Sequence, residues 1–221
     1  MSDKLRILLT GFGPFPGAPH NPTQLLVARL ARLRRPALDD VAIASHIFPV
    51  TYAAVDRQLP EVLAAHKPDA LLMFGLAART SYLRIETRAR NAVTMLWPDA
   101  ANTRSSKRGI AANADAMTFG PHTARLLRAA RLTGIDARPS RDAGAYLCNY
   151  LSWRAIENVK AGGPKLAAFI HIPLLARGAA SRRKGSPRIT LEELVDAGEA
   201  MLMEMVRLAR KRRASPAGVN I

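Results

Sequence analysis

The chain has 221 residues, 48% of them hydrophobic, and 33 Lys and Arg against 17 Asp and Glu give a formal net charge of +16. That length and apolar share suit a single domain with a sizeable core, and no apolar run is long enough for a membrane-spanning helix. One cysteine excludes an intramolecular disulfide, and beside five scattered histidines it argues against a structural zinc site.

The N-terminal residues are interrupted by charge at once and lack the apolar block of a secretory signal, so a cytoplasmic location is expected. Residues 5–10 (LRILLT) read as a buried strand, and 11–17 as a loop of Gly, Pro and Phe. Asn21 as N-cap and Pro22 at the first helical position open a helix that runs toward Pro36. Residues 41–50 read as a second strand. Helical periodicity follows over 52–66, with Pro60 expected to break or restart it. The all-apolar 70–75 (ALLMFG) suits a parallel strand covered on both faces. Residues 82–89 alternate, Leu83 and Ile85 on one side, Arg84 and Glu86 on the other, which predicts a strand with one wetter face.

Residues 99–113 are polar and read as a long loop. A helix over 122–132, a short strand over 134–138 and a helix from about Cys148 to 159 follow. Residues 166–172 (LAAFIHI) form a last buried strand, and 177–187 a loop. Thr190 and Glu193 make a capping box for a final helix reaching about Arg212. A frayed tail is expected over 215–221, leaving 1–214 as the folded domain. Alternating strands and helices predict an α/β fold, a single-domain α/β/α sandwich around a mostly parallel sheet. Sites in such sheets gather at the carboxyl ends of strands, here 11–17, 75–81 and the strand end carrying His171.

The positive charge is clustered: Arg29, Arg32, Arg34 and Arg35; Arg182, Arg183 and Lys184; Arg207, Arg210, Lys211, Arg212 and Arg213. The plain reading is a solvated basic surface with non-specific attraction for polyanions. The sequence has no aromatic RNA-binding signature, zinc finger or clear helix-turn-helix pattern.

Three residues invite a chemical reading. Cys148 precedes a helical stretch, and a cysteine in a first helical turn feels free N–H groups and the positive dipole end, which favour the nucleophilic thiolate. A lone cysteine is as readily a small core residue. His171 sits near the end of an apolar strand, where a satisfied core histidine is common but where α/β enzymes also place a base. Glu86 lies on the polar face of its strand, either as the third group that orients a base or as a surface carboxylate paired with Arg84, Arg88 or Arg90.

Four segments resemble the pyroglutamyl-peptidase I (pyrrolidone-carboxylate peptidase) family of cysteine peptidases, in the family's order and spacing. They are LTGFGPF (9–15) with Asn21-Pro22-Thr23; Glu86, Ala89 and Asn91; Ser140, Ala143-Gly144 and Tyr146-Leu147-Cys148-Asn149; and AFIHIP (168–173). The resemblance implies a phosphorylase/hydrolase-like sandwich that removes an N-terminal pyroglutamyl residue from peptides, with no cofactor and no metal. It implies Cys148 as nucleophile, His171 as base and Glu86 as its orienting group. It implies substrate contacts at Phe12 and Phe15, at Gly75 and Leu76, and at Trp97, Tyr146 and Leu147, and a cytoplasmic homo-oligomer with a pyroglutamyl-peptide substrate.

Two departures stand near the site. Where the family reads Asp-Ala-Arg-Ile-Pro-Asp-Asn, this chain has TMLWPDA (94–100), so Leu96 replaces an arginine and Arg79, Arg84 or Arg88 would have to stand in for it. Residues 75–80 (GLAART) lack the family's double glycine. A relative with altered acyl or amide specificity, and a basic polyanion-binding protein on the same scaffold, are the alternative readings.

Overall fold

A computed structural model describes residues 4–15, 17–175 and 189–214. The expected loop over 177–187, the Arg182 cluster and the tail over 215–221 lie outside them. Among the described residues the strands are β1 (Leu5–Phe12), β2 (Val41–Phe48), β3 (Ala70–Leu76), β4 (Leu83–Glu86), β5 (Arg88–Ala89), β6 (Met117–Thr118), β7 (Ala137–Ser140) and β8 (Leu166–Ile172). The helices are α1 (Pro22–Ala31), α2 (Tyr52–His66), α3 (His122–Arg131), α4 (Leu147–Lys160) and α5 (Leu191–Ala214), with a short 3-10 turn at Pro36–Leu38.

Six strands form one sheet in the order β2-β1-β3-β8-β4-β7. All neighbours are parallel except β4, which runs antiparallel to β8. Side chains alternate across this sheet as a two-residue period dictates. Leu72 and Phe74 of β3, Ile170 and Ile172 of β8, and Leu83 and Ile85 of β4 pack with α1, α3 and α5. Leu71 and Met73 of β3 and Phe169 of β8 face the other way, against α2 and α4. By the same alternation Arg84, Glu86 and His171 belong to the α4 face.

Local chemistry sets most boundaries. The Asn21 carboxamide accepts the Thr23 amide and caps α1. The Thr190 hydroxyl accepts the Glu193 amide at 3.2 Å while the Glu193 carboxylate accepts the Thr190 amide at 2.7 Å, the reciprocal cap expected for α5. Helix α2 differs from expectation. It runs unbroken through Pro60, which sits on the exposed side while Val55 and Leu59 anchor the opposite face in the core.

The strand expected over 82–89 also differs. Both the amide and the hydroxyl of Thr87 donate to the Ser140 carbonyl, at 2.7 and 2.8 Å. The chain turns there, and β5 leaves the main sheet to pair with β6. The strand expected over 134–138 begins later, at Ala137, because Gly134 at φ +87° closes the turn after α3.

Several clustered arginines are already engaged. Arg29 and Arg35 bridge to Glu192 and Glu199 on α5, and Arg207 to Glu204. Arg210 bonds Asp40, and Arg213 bonds Asp69 and the Lys4 carbonyl.

Candidate active site

Cys148 is the second residue of α4, whose N-cap, Tyr146, offers no side-chain acceptor to the first turn. The amides that open the helix therefore remain free of intrahelical partners next to the thiol. The helix is held over the sheet by Asn149, fully buried, which accepts the Arg90 amide at 2.8 Å and donates to the Arg90 and Ala92 carbonyls at 2.8 and 2.9 Å. Asn91 orders the following loop, donating to the Ala111 and Ala114 carbonyls and accepting the Ile110 and Ala111 amides. Thus two asparagines of the sequence motifs act as fasteners.

At the carboxyl ends of the central strands, Gly75 of β3 and His171 of β8 are direct neighbours in register. A Cβ on Gly75 would come within 2.8 Å of Cys148 Sγ, so the bare glycine leaves the room that the sulfur fills. His171 is 4% exposed and stacks edge-on against Phe169, with ring centroids 5.0 Å apart. Its Nδ1–H donates to Glu86 Oε1 at 2.7 Å. Burial disfavours the charged ring, but contact with Cys148, through both charge and a hydrogen bond, and with Glu86 outweighs it and pushes the imidazole up to about 9.

Glu86 is 0% exposed, and its Oε2 has no hydrogen-bond partner among the described residues. Its Oε1 is shared between His171 and Arg84, whose guanidinium stands 3.0 Å away.

A cleft of about 1010 Å3 opens in front of this group and includes His171 and Arg84 in its wall. Phe15, Leu76, Trp97 and Tyr146, four of the residues expected to contact substrate, line it. Phe12 and Leu147 do not. Both are buried in the core, Phe12 tilted against Phe48 with centroids 6.2 Å apart, because alternation along β1 and the first turn of α4 point them inward. Gly75 sits behind the cleft, against the sulfur. Gly144, at φ +82°, lets residues 142–146 turn along the cleft wall, its amide bonded to Asp142 Oδ1 at 2.9 Å. Tyr146 donates its hydroxyl to the Pro98 carbonyl at 2.8 Å and so joins the cysteine segment to 94–100. Leu96 is 76% exposed and does not occupy the cleft. Of the three arginines named as stand-ins for the missing family cation, Arg79 and Arg84 line the cleft and Arg88 does not.

An α/β sandwich that gathers a thiol, a raised imidazole and a buried carboxylate at the strand ends defines a cysteine-type hydrolase. Comparison with known proteins narrows the class. The family model described as pyroglutamyl peptidase matches residues 5–207. The chain is 30% identical to a pyrrolidone-carboxylate peptidase of Gloeobacter violaceus over 204 residues, 92% of this chain and 97% of the relative. It is 30% identical to one from Pyrococcus furiosus over 173 residues, covering 77% and 82% respectively. A solved pyrrolidone carboxyl peptidase from Fervidobacterium islandicum superposes with a TM-score of 0.81 at 28% identity, covering 92% of this chain and 99% of that one. The chain belongs to the pyroglutamyl peptidase family of cysteine peptidases.

Proposed function

We propose that this protein removes an N-terminal pyroglutamyl residue from peptides through Cys148, His171 and Glu86. What carries the reading is the buried 2.7 Å bond between His171 Nδ1 and Glu86, on a ring that lines an open cleft and whose basicity Cys148 also raises. The carboxylate fixes the ring and favours its charged form, so the proton leaving Cys148 has a place to go.

The thiolate attacks the pyroglutamyl carbonyl, and the first-turn amides of α4, beside the sulfur, would donate to the negative charge that develops on that oxygen. Imidazolium then gives its proton to the departing amine as the C–N bond breaks, leaving a thioester on Cys148. Neutral His171 next takes a proton from water, which attacks the thioester. Pyroglutamate leaves, and the thiolate and imidazolium are restored. Phe15, Tyr146 and Trp97 offer aromatic faces to a flat, neutral lactam, and Leu76 an apolar floor.

The test is a panel of N-acyl amide reporters given to wild type, to iodoacetamide-treated protein and to Cys148→Ser. The pyroglutamyl reporter should be cleaved in preference to acetyl, prolyl and glutamyl reporters. Both blocked forms should lose at least about 10³-fold in kcat/KM while remaining folded. Preference for another acyl group would replace the proposed specificity, and activity surviving in Cys148→Ser would remove the mechanism.

A further inference from the structure

We propose that Arg84 is a positioning residue of the catalytic group, holding the Glu86 carboxylate against His171 and tying it to the segment that delivers Cys148. This rests on the Cys-His-Glu reading above and adds to it a residue outside the three.

Glu86 has no exposed surface and its Oε2 has no donor among the described residues, and a buried carboxylate needs a partner for its charge. Arg84 supplies that partner charge 3.0 Å from Oε1, the same oxygen that accepts the hydrogen bond from His171 Nδ1. The placement follows from the sheet. Arg84 is the register partner of His171 across the antiparallel β4–β8 pair, and Glu86 lies two residues on, on the same face.

The same guanidinium grips the approach to α4. Its Nη2 donates to Ser140 Oγ at 2.9 Å and to the Asp142 carbonyl, and its Nε also reaches Ser140 Oγ. Thr87, Arg88 and Arg90 bond the same 140–142 stretch, but Arg84 alone among these four also touches Glu86. From Ser140 the chain runs through Gly144 directly into Cys148. One side chain thus couples the acid on β4 to the nucleophile on α4. Nη1 makes no hydrogen bond among the described residues, and Arg84 lines the cleft, so it also presents positive charge to the reacting centre. Residues 94–97 bring no charge there.

Other charges face this group from each neighbouring element: His171 on β8, Cys148 on α4, Asp142 before α4, Arg138 beside Arg84 on β7, and Arg79 and Asp99 on the cleft wall. Asp142 is already paired with Arg90, and Arg138 with Asp136, so Arg84 is the cation committed to Glu86. Removing it raises the pH at which the thiol–imidazolium pair gives up its first proton, since a nearby positive charge that favoured the loss is gone.

The experiment exploits the single cysteine. Alkylation of Cys148 by iodoacetamide is followed against pH in wild type, Arg84→Met, Arg84→Lys and, as a charge control, Arg138→Met, with circular dichroism confirming the fold of each. The Arg84→Met midpoint should rise by roughly one pH unit, with Arg84→Lys and Arg138→Met staying near wild type. Arg84→Met should also lower kcat more than it raises KM on the pyroglutamyl reporter. Coincident midpoints for wild type and Arg84→Met would overturn the inference, as would an Arg84→Lys midpoint as displaced as that of Arg84→Met. Failure of wild type to cleave any pyroglutamyl reporter would sink the functional reading alone, because the alkylation profiles need no turnover.

Discussion

A methyl group at position 75 would lie 2.8 Å from Cys148 Sγ and 2.6 Å from Phe169 Cζ, and neither neighbour is free to retreat. Phe169 is fully buried, and the sulfur is the reacting atom. Gly75→Ala should therefore cost about 1–3 kcal/mol of stability through overpacking. It should also slow turnover at least tenfold by moving the thiol off the imidazole, an effect on misplacement of the order of 10²-fold at most per ångström. Urea unfolding and kcat on the pyroglutamyl reporter check the two parts, and a fully active Gly75→Ala would mean the sulfur is not held where the structure places it. The sequence put Gly75 at the end of an apolar strand, and the resemblance made it a substrate contact. The actual constraint comes from a helix far along the chain, and no local pattern carries it. Phe12 and Phe15 make the same point. Both sit in one Gly-Pro-Phe loop motif, yet strand alternation buries the first while the second faces the cleft. His171 was legible as lying near the end of an apolar strand, but its face is set by the sheet, where it pairs in register with Gly75.

Helix α4 shows how a motif residue that does no chemistry still sets the site. Asn149 makes three hydrogen bonds to the 90–92 backbone from a fully buried position. Truncation leaves an amide and two carbonyls without partners, so Asn149→Ala should lose ~3 kcal/mol or more. Reactivity of Cys148 toward iodoacetamide should change with it as the helix start loosens. A melting temperature equal to wild type would contradict this role. At this scale the sequence marks β1, β3, β8, the capped α1 and α5, and the start of α4, since local caps and apolar runs decide them. The reversal of β4 and the β5–β6 pair are settled by long-range bonds, above all Thr87 to the Ser140 carbonyl. Those bonds also bring Glu86 beneath His171, which is why the acid's role was carried by resemblance rather than by pattern.

For the molecule as a whole, the large basic excess is partly consumed in holding α5 to the sheet. Asp40, Asp136 and Glu192 are held below the ordinary carboxylate range by hydrogen bonds from Arg210, Arg138 and Arg29, and Glu193 by the Thr190 amide. At Asp69 and Asp142 burial pushes upward, but Arg213 and Arg90 outweigh it. Groups depressed on folding contribute stability that is present above their unfolded values and lost as pH falls through the folded ones. The melting temperature should thus decline steadily below about pH 4, where unfolded carboxylates already bind protons. Calorimetry at several acidic pH values reads this, and an unchanged melting temperature down to pH 2 would show the pairs to be idle. The basic runs themselves were plain in the sequence. Their partners were not, because Asp40, Asp69, Glu192 and Glu199 meet them only after folding.

The central claim is that acyl transfer passes through the sulfur of Cys148. Intact-protein mass spectrometry of wild type, mixed with a pyroglutamyl ester and quenched in acid within the first turnover, tests it most directly. Wild type should gain the mass of one pyroglutamyl group, localised to the peptide containing Cys148, and Cys148→Ala should gain none. Rapid release of pyroglutamate by the Cys148→Ala protein, or an adduct found on another residue, would contradict it.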